Sequence, residues 1–347
     1  MCYVPVAGCV RAVRFESDGS VKVVPMPTPG PGPEDVLVQV LAAGVCRTDL
    51  HLLDDVRAGR REPLVPGHEI AGRIVKVGAD VYMANPKDVV VVHFEQPCGE
   101  CRRCRQKKTN LCQRGSSLGF NEPGGYAEYV RARQTTVLAL PPDFDPALAA
   151  PLGCSGATAF RAVVTLGQAE REDLVVVVGT GGVGLSAIQI ARVQEARVLG
   201  VDTREEARRA AVEAGADAAV PPTEAARTAE AMSGGAGADV VVDFVGTAAT
   251  FTLAKSLLGY GGRLVPVAVG EEPIPVTSGD LVEGGKAYLG AYSTTMADLA
   301  RTVALAESGR LKPVVSKRAP LSDAARVLDD LAGGRIVGRA VLEPPRT

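Results

Sequence analysis

Four cysteines lie within fifteen residues of one another, in a segment that has few apolar side chains. Four thiolates so close together can form a tetrahedron around Zn²⁺, and the bound ion then supplies folding energy that side-chain packing cannot. Because four thiolates leave no coordination position open, the spacing predicts a structural zinc site. An iron–sulfur cluster and metal-free thiols are the less favoured alternatives. The residues are Cys98, Cys101, Cys104 and Cys112.

A second set of potential metal ligands comes from distant parts of the chain: Cys46, His68 and Cys154. Two thiolates and one imidazole leave one tetrahedral position free for water or a substrate, which is the pattern of a catalytic zinc. Each residue alone has an ordinary explanation, since a single cysteine is most often a small buried apolar side chain. Glu69 directly follows His68 and belongs to the same candidate site.

A glycine-rich turn, G-T-G-G-V-G, lies between a wholly apolar run, Leu174–Val178, and residues with helical spacing, Leu185–Val193. Its glycines allow a tight turn and let the backbone come close to a pyrophosphate, whose charge faces the free N–H groups of the helix N-terminus. The strand before it and the helix after it make this pattern specific. The predicted cofactor-binding residues of the turn are Gly179, Gly181, Gly182, Val183 and Gly184.

Asp202 lies eighteen residues after Gly184, close to the spacing at which dinucleotide-binding folds place an acidic residue on the adenosine ribose. A carboxylate at that place repels a 2′-phosphate, so we expect the cofactor to be NAD rather than NADP. Arg204 and Arg208 follow within six residues and weaken this preference.

The elements that must position these residues change in type along the chain. The first 150 residues are β-rich, and Pro25–Pro33 is predicted to be an extended connector without regular structure. From residue 174 onward, apolar strands alternate with helical segments, which indicates a parallel sheet covered on both faces. The predicted strands are Val36–Val40, Ile70–Val77, Val89–Val92, Leu174–Val178, Arg197–Val201, Asp239–Val245, Arg263–Val269 and Gly338–Leu342. The predicted helices are Leu185–Val193, Glu205–Ala214, Thr295–Ser308 and Ser322–Ala332, the last one capped by Ser322.

Length and charge exclude several classes of protein. A chain of 347 residues exceeds what one hydrophobic core usually holds, so we expect two domains. Lys and Arg number 38 against 40 Asp and Glu, and this balance leaves no positive field to attract nucleic acid or a membrane surface. No run approaches the roughly 20 apolar residues of a transmembrane helix, and Met1–Val10 lacks the pattern of a signal peptide. We therefore expect a cytoplasmic protein with reduced cysteines and no nucleic-acid or membrane partner.

The four-cysteine segment carries five cations, which makes nucleic-acid binding an alternative for this segment alone. No aromatic residue lies among them, although stacking on bases needs one. We interpret the cations as a solvated face. They are Arg102, Arg103, Arg105, Lys107 and Lys108.

Taken in this order, the motifs resemble those of the zinc-dependent medium-chain dehydrogenase family and, within it, the alcohol dehydrogenases. The resemblance covers nearly the whole chain and rests on the G-H-E segment at residues 67–69, the four cysteines, the G-G-Y-A-E-Y segment at residues 124–129 and the glycine turn. It implies an α/β fold class, with a Rossmann doubly wound parallel sheet and a β-rich GroES-like catalytic domain. The implied catalytic domain comprises residues 1–152 and 291–347, and the implied Rossmann domain comprises residues 153–290.

The resemblance assigns three kinds of role at the predicted catalytic zinc: metal ligands, carboxylates that orient those ligands, and groups that move a proton. The implied ligands are Cys46, His68 and Cys154, and the implied orienting carboxylates are Asp49 and Glu69. The implied proton-moving groups are Thr48, whose hydroxyl meets the substrate oxygen, and His51, at the outer end of the relay.

The resemblance also implies contacts with cofactor and substrate. Arg47 and Arg339 are the implied pyrophosphate-binding arginines. The implied substrate-pocket residues are His93 and Phe94 and, less strongly, Leu118 and Phe120. One departure from the family pattern is Ala207, where a basic residue that supports adenosine binding is often found.

The implied activity is reversible hydride transfer between a primary or secondary alcohol and NAD, giving an aldehyde or a ketone. It comes with two zinc ions per chain and a homodimer or homotetramer formed through residues 263–289. The alternatives are a sugar or polyol dehydrogenase of the same superfamily, a zinc-free quinone or enoyl reductase, and a non-catalytic module that binds zinc and a dinucleotide. Sugar enzymes often have Glu or Asp at the third ligand, so Cys154 favours an alcohol. Cys2 and Cys9 match no predicted site.

Overall fold

The structure is a computed structural model that describes residues 8–270 and 272–345. Contacts between residues divide the chain into two compact units. Of the described residues, the first unit comprises 8–154, Thr295–Val303 and 315–345, and the second comprises 155–270, 272–294 and Ala304–Val314.

The strands and helices are numbered here in chain order. The strands are β1 Cys9–Phe15, β2 Val21–Pro27, β3 Asp35–Val45, β4 Glu69–Val77, β5 Val89–Val92, β6 Glu95–Gln96, β7 Ser116–Ser117, β8 Tyr129–Arg133, β9 Val137–Leu140, β10 Leu174–Val178, β11 Arg197–Val201, β12 Ala218–Val220, β13 Ala238–Asp243, β14 Leu258–Pro266, β15 Ala287–Tyr288, β16 Val315–Pro320 and β17 Arg339–Glu343. The α-helices are α1 Arg47–Arg57, α2 Arg102–Arg105, α3 Pro146–Ala149, α4 Ser155–Phe160, α5 Gly182–Val193, α6 Glu205–Glu213, α7 Pro222–Ser233, α8 Ala248–Leu257, α9 Ser278–Val282, α10 Met296–Glu307 and α11 Ala324–Ala332. Short 3₁₀ helices cover Thr109–Leu111, Gln134–Thr136, Ala150–Gly153 and Leu321–Asp323, and α4 continues as a π-helix over Arg161–Leu166.

The first unit is built on a seven-stranded sheet in the order β16-β17-β3-β4-β5-β9, with β8 paired to β3. Every strand pair in this sheet is antiparallel except β16 with β17. One core cluster packs on it and includes Val38, Ile70, Ile74 and Tyr126, each at most 1% exposed. The long valine-rich strand β3 lies at the centre, where eight of its eleven residues are buried. Its β-branched valines pack well on a pleated surface.

The second unit contains a six-stranded parallel sheet in the order β12-β11-β10-β13-β14-β15. Its central strand β10 is buried at all five positions, as expected for a strand covered on both faces. The alternation of apolar strands and helices predicted such a parallel sheet, and the family resemblance implied its Rossmann doubly wound form. The turn between β10 and α5 lies at the carboxyl end of the sheet, where open α/β sheets bind their ligands.

Most of the predicted elements are present, and their ends differ by a few residues. β5, β10 and β11 have the predicted bounds, whereas α5 begins at Gly182, inside the glycine turn, and not at Leu185. β14 runs from Leu258 to Pro266 and not from Arg263 to Val269. Periodicity does not locate such ends, because they are set by turn geometry and pairing partners.

The prediction of an unstructured connector over Pro25–Pro33 is wrong at its start. β2 extends to Pro27 and pairs antiparallel with β1, so that Pro25 lies opposite Arg11 and Pro27 opposite Cys9. The two strands form a separate two-stranded sheet. A proline is tolerated on an edge strand, where its missing N–H breaks no ladder on the outer side.

The predicted cap of the last helix is also wrong. Ser322 lies inside the 3₁₀ turn Leu321–Asp323, and α11 begins at Ala324 after Asp323. The Ser322 hydroxyl contacts the Asp323 carboxylate at 3.5 Å and caps no helical N–H. Pro320 is the N-cap of this turn and has extended backbone, so the helical turn begins at Leu321 and already contains Ser322.

The contact-based division places Ala304–Val314 in the second unit, whereas the predicted catalytic domain includes these residues. Hydrogen bonds explain the assignment: the Gln189 side chain of α5 donates to the Lys312 carbonyl at 3.0 Å and accepts the Lys312 N–H at 2.8 Å. The predicted domain limits are otherwise within five residues of this division. Among the described residues, no single helix is both long and apolar enough to span a membrane; Pro146–Gly153 and Ser155–Leu166 reach that length only when counted together.

Candidate metal centres and dinucleotide turn

The register of the first sheet brings together the ends of three strands. Gly44 on β3 pairs with Glu69 at the start of β4, and Val45 pairs with Ala340 on β17. Cys46 directly follows β3, His68 directly precedes β4, and Arg339 is the first residue of β17. A Cβ on Gly44 would come within 2.0 Å of the Glu69 carboxylate, so only glycine leaves room for this side chain.

Cys46 is the N-cap of α1, and Asp49 is the third residue of that helix. The Asp49 carboxylate accepts the Cys46 N–H at 2.9 Å, which satisfies a free donor of the helix start. Its other oxygen lies 3.4 Å from Nδ1 of His68. With Nδ1 directed to a carboxylate, Nε2 is the nitrogen left for a metal.

The structure brings all four residues of the predicted catalytic zinc site together. One ligand atom from each of Cys46, His68, Glu69 and Cys154 lies within 4.8 Å of the others. Cys154 reaches the group from the end of the 3₁₀ helix Ala150–Gly153. His68 is 1% exposed and Glu69 is fully buried.

The hydrogen bond between the two sulfurs of this group shifts their pKa values in opposite directions. The hydrogen bond with the Cys154 thiol holds the pKa of Cys46 well below its ordinary value, and the same bond raises the pKa of Cys154. Burial opposes the charged form of His68, but the Asp49 carboxylate outweighs it and raises the pKa of the imidazole. Binding of a metal ion by both sulfurs as thiolates would release the proton of the Cys154 thiol.

The charge and the hydrogen-bond partners of the Glu69 carboxylate indicate whether these four residues fit a cation. Burial raises the pKa of Glu69 to about 7, against the Arg339 guanidinium, which lowers it. The Arg339 Nη2 lies 3.0 Å from Oε1 of Glu69. Within the described part of the chain, Oε2 of Glu69 is buried without a hydrogen-bond partner. Two sulfurs, an imidazole and an unsatisfied buried carboxylate oxygen form a donor set that fits Zn²⁺.

The other residues predicted near this site differ in how far their side chains are exposed to solvent. The Thr48 hydroxyl is half-buried and lies 3.6 Å from Sγ of Cys46. Arg47 and His51 are exposed on the first two turns of α1. Arg339 was predicted to bind pyrophosphate, and its side chain is buried against Glu69, a contact that the sequence did not predict.

Two of the four predicted pocket residues pack directly on a metal ligand. The ring centroids of Phe94 and Phe120 lie 5.3 and 5.2 Å from that of His68. His93 is buried and stacks on Phe94 at 5.6 Å. Leu118 is also buried, in the core cluster of the first unit. The His68 imidazole therefore packs against two aromatic rings, and its Nδ1 faces the Asp49 carboxylate.

The four-cysteine segment also brings its sulfurs together. Neighbouring Sγ atoms are 3.5–4.0 Å apart. Zinc–thiolate bonds of about 2.3 Å give tetrahedron edges of about 3.8 Å, whereas a disulfide bond needs about 2.05 Å. Hydrogen bonds to Cys98, first from the Glu100 backbone, lower the pKa of its thiol to about 6, and burial raises that of Cys104 to about 12. The five cations of the segment are all exposed.

Of the two remaining cysteines, the structure describes Cys9 alone. Cys9 is half-buried on β1 and belongs to no metal-ligating group of the described residues. Cys2 lies outside the described residues.

The glycine turn has the shape that close approach of a ligand requires. Gly179 has a φ of +87°, in the left-handed region that favours glycine. A Cβ on Gly184 would lie 2.1 Å from the Gly179 carbonyl oxygen, so helix α5 packs on the turn only with glycine there. A Cβ on Gly181 meets nothing within 4 Å, which leaves open space beside the N-cap of the helix. The pattern fits a pyrophosphate at the N-terminus of α5. Val183 is half-buried in the first turn of this helix.

Asp202 directly follows β11, and its side chain is hydrogen-bonded to the glycine-rich turn that follows β10. Its carboxylate accepts the N–H of Thr180 at 2.9 Å and the N–H of Arg204 at 2.9 Å. Arg208 binds the backbone carbonyls of Asp202 and Thr203 and so stays beside the carboxylate. The two arginines named as neighbours in sequence are thus also neighbours in space.

Sequence reasoning missed Tyr126. Its hydroxyl donates to Asp49 at 2.8 Å, and its side chain is fully buried. The G-G-Y-A-E-Y segment that carries it was used only as a family marker. Two glycines before a tyrosine were the available signal, since they let a backbone pack closely on another segment.

Comparison with known proteins identifies the family. Residues 32–142 match the family model described as alcohol dehydrogenase GroES-like domain, and residues 182–308 match that of zinc-binding dehydrogenase. The chain belongs to this family of zinc-binding, medium-chain dehydrogenases, as the order of its motifs predicted. The predicted fold class, a GroES-like domain with a Rossmann sheet, is confirmed.

Individual relatives cover nearly the entire chain. An NAD-dependent alcohol dehydrogenase of Sulfurisphaera tokodaii is 34% identical, over 96% of this chain and 100% of the relative. A D-arabinose 1-dehydrogenase (NADP(+)) of Saccharolobus solfataricus is 33% identical, over 90% of each chain. The crystal structure of the alcohol dehydrogenase from Aeropyrum pernix superposes with a TM-score of 0.89 at 31% identity, covering 96% of this chain and 100% of the other.

Proposed function

We propose that this protein is a zinc-dependent alcohol dehydrogenase that transfers hydride reversibly between a primary or secondary alcohol and NAD. The observation that carries the proposal is the convergence of Cys46, His68 and Cys154, from three distant segments, on one buried point. Its relatives named alcohol dehydrogenases support the same activity. A zinc ion held by these three residues supplies Lewis acidity at the substrate oxygen.

The chain's own residues supply the path of the proton. Thr48 lies beside Cys46. Its hydroxyl accepts the proton of the substrate alcohol as it donates its own proton onward in the direction of His51. His51, one turn further along α1 and exposed, passes that proton to solvent as a general base. Phe94 and Phe120 cover the imidazole and keep water from that side of the site.

We further propose two zinc ions per chain, one at Cys46, His68 and Cys154 and one at the four-cysteine segment. The cofactor proposed for the glycine turn is NAD, because Asp202 has the spacing of the acidic residue that binds the adenosine ribose, and a carboxylate there would repel the 2′-phosphate of NADP. Arg47 and Arg339 are proposed to contact the pyrophosphate. A homodimer or homotetramer, a cytoplasmic location and the domain limits stay predictions.

The test compares two cysteine variants for zinc content and for NADH formation with a panel of alcohols. Cys154→Ser is expected to lower zinc from two ions per chain to one and to abolish turnover. Cys9→Ser is the matched control, because Cys9 lies outside both sulfur groups, and it is expected to keep both ions and full activity. Wild-type protein with two zinc ions and no turnover of any alcohol would contradict the proposal.

A second candidate substrate is an aldose, oxidised at its anomeric carbon with NADP. The relative named D-arabinose 1-dehydrogenase favours it. The same assay decides between the candidates if D-arabinose is added to the panel and every substrate is measured with NAD and with NADP. A higher kcat/KM for D-arabinose with NADP than for any simple alcohol with NAD would favour the sugar.

A further inference from the structure

The ring of Tyr126 lies against the segment that carries His68. Tyr126 donates its N–H to the Pro66 carbonyl at 3.0 Å, and Gly125 donates to the Gly67 carbonyl at 2.6 Å. Gly67 has a φ of +94°, and a Cβ there would lie 2.2 Å from Cδ1 of Tyr126. Because Gly67 has no side chain, the Tyr126 ring can pack against the segment that precedes His68.

The hydroxyl of the same tyrosine reaches the segment that carries Cys46. It donates to Oδ2 of Asp49 at 2.8 Å, and the same oxygen accepts the Cys46 N–H at 2.9 Å. Two donors on Oδ2 fix the rotation of the carboxylate. Oδ1 is thereby directed at Nδ1 of His68, 3.4 Å away.

We infer that Tyr126 is a positioning residue for the metal centre: through Asp49 it holds Cys46 and His68 in the geometry that binds the ion. The inference rests on the proposed function only in that the ion is zinc. Without the hydroxyl, Oδ2 keeps one donor and the carboxylate can rotate away from His68. Carboxylates that orient metal ligands affect metal affinity by about 10–100-fold, and Tyr126 acts one contact further out.

The test measures zinc release to a coloured chelator, 4-(2-pyridylazo)resorcinol, from purified zinc-loaded protein. Two kinetic phases are expected, and the phase that His68→Ala removes belongs to the Cys46 site. Tyr126→Phe keeps the ring against Gly67 and deletes the hydroxyl alone. We expect it to speed release from the Cys46 site about tenfold and to leave the four-cysteine phase unchanged.

Tyr288→Phe is the matched control, since it also deletes one buried tyrosine hydroxyl, in the second unit. Within the described residues that hydroxyl has no hydrogen-bond partner. The Tyr288→Phe variant is expected to change neither kinetic phase of zinc release. If Tyr126→Phe speeds both phases equally, the tyrosine only stabilises the fold and the inference is overturned.

A double variant tests whether the effect passes through Asp49. Asp49→Asn alone is expected to speed release from the Cys46 site, and Tyr126→Phe is expected to add nothing in that background. Additive effects would overturn the route through Asp49. A wild-type protein without the His68-dependent phase would contradict both the proposed function and this inference, whereas wild-type release rates in Tyr126→Phe would contradict the inference alone.

Discussion

Glu69 presents a fully enclosed carboxylate to two sulfurs and an imidazole. An isolated buried charge is costly, so such a group becomes neutral or has a charged partner. Arg339 partners one oxygen, and the pKa near 7 shows that this pair only partly offsets burial. A cation at the Cys46 site favours the ionised form. The residue was predicted from its place beside His68, whereas its arginine partner depends on the pairing of β17 with β3 and has no local signal.

The role of Thr48 is tested by deleting its hydroxyl. Thr48→Ala is expected to lower turnover at least about 100-fold, the typical contribution of a proton-transfer group, while zinc content stays normal. The control is Thr228→Ala on α7, a half-buried threonine whose hydroxyl bonds only the local Glu224 carbonyl. Steady-state kinetics with a fixed alcohol and NAD give the result. Wild-type turnover in Thr48→Ala would remove this residue from the proton path.

Cofactor choice is tested at Asp202. Asp202→Asn removes the charge and keeps one acceptor oxygen, so it retains one of the two backbone hydrogen bonds, which the Thr180 N–H makes to Oδ2 and the Arg204 N–H makes to Oδ1. We expect the ratio of kcat/KM for NADP to that for NAD to rise about tenfold, which corresponds to about 1.4 kcal/mol. Asp217→Asn, a change to another strand-end aspartate that accepts a backbone N–H, serves as the control. An unchanged ratio in Asp202→Asn would show that this carboxylate does not face the 2′ position.

At the scale of elements, the turn between β10 and α5 contains glycines that are required for two different reasons. Gly184 is needed for packing, because a Cβ would lie 2.1 Å from the Gly179 oxygen. Gly181 is needed only by a ligand, because a Cβ there meets nothing within 4 Å and its φ of −77° suits any residue. The two positions look identical in sequence, and only the structure distinguishes them.

Alanine at each position tests this distinction. Gly184→Ala is expected to lower the free energy of unfolding by about 1–3 kcal/mol, the usual cost of overpacking. Gly181→Ala is expected to leave stability within about 0.5 kcal/mol of wild type but to weaken NAD binding about tenfold. Urea unfolding and NAD titration measure the two quantities. Equal loss of stability in both variants would contradict the assignment.

Sequence patterns predicted the interior of the elements better than their ends. The apolar run Leu174–Val178 has only one use, a strand buried on both faces, and its bounds are as predicted. The prolines of β2 carry no such information, since proline fits a loop and an edge strand equally well. Ser322 has the residue type of a cap, but Pro320 begins a 3₁₀ turn that places the hydroxyl elsewhere.

At the scale of the whole molecule, the candidate metal site depends on sheet register and not on sequence proximity. Cys46, His68 and Arg339 come together because β3 pairs with β4 on one side and with β17 on the other. The types of these residues and a family resemblance predicted that Cys46, His68 and Cys154 lie together. They did not suggest Tyr126, whose contact with Asp49 joins residues 77 positions apart.

The most direct test is anomalous X-ray scattering at the zinc absorption edge from crystals of the protein grown with excess zinc. We predict two peaks per chain, one within the four-cysteine segment and one enclosed by the sulfurs of Cys46 and Cys154 and a ring nitrogen of His68. A peak in the four-cysteine segment alone, with the sulfur of Cys46 bare, would contradict the central claim that these three residues share a metal ion.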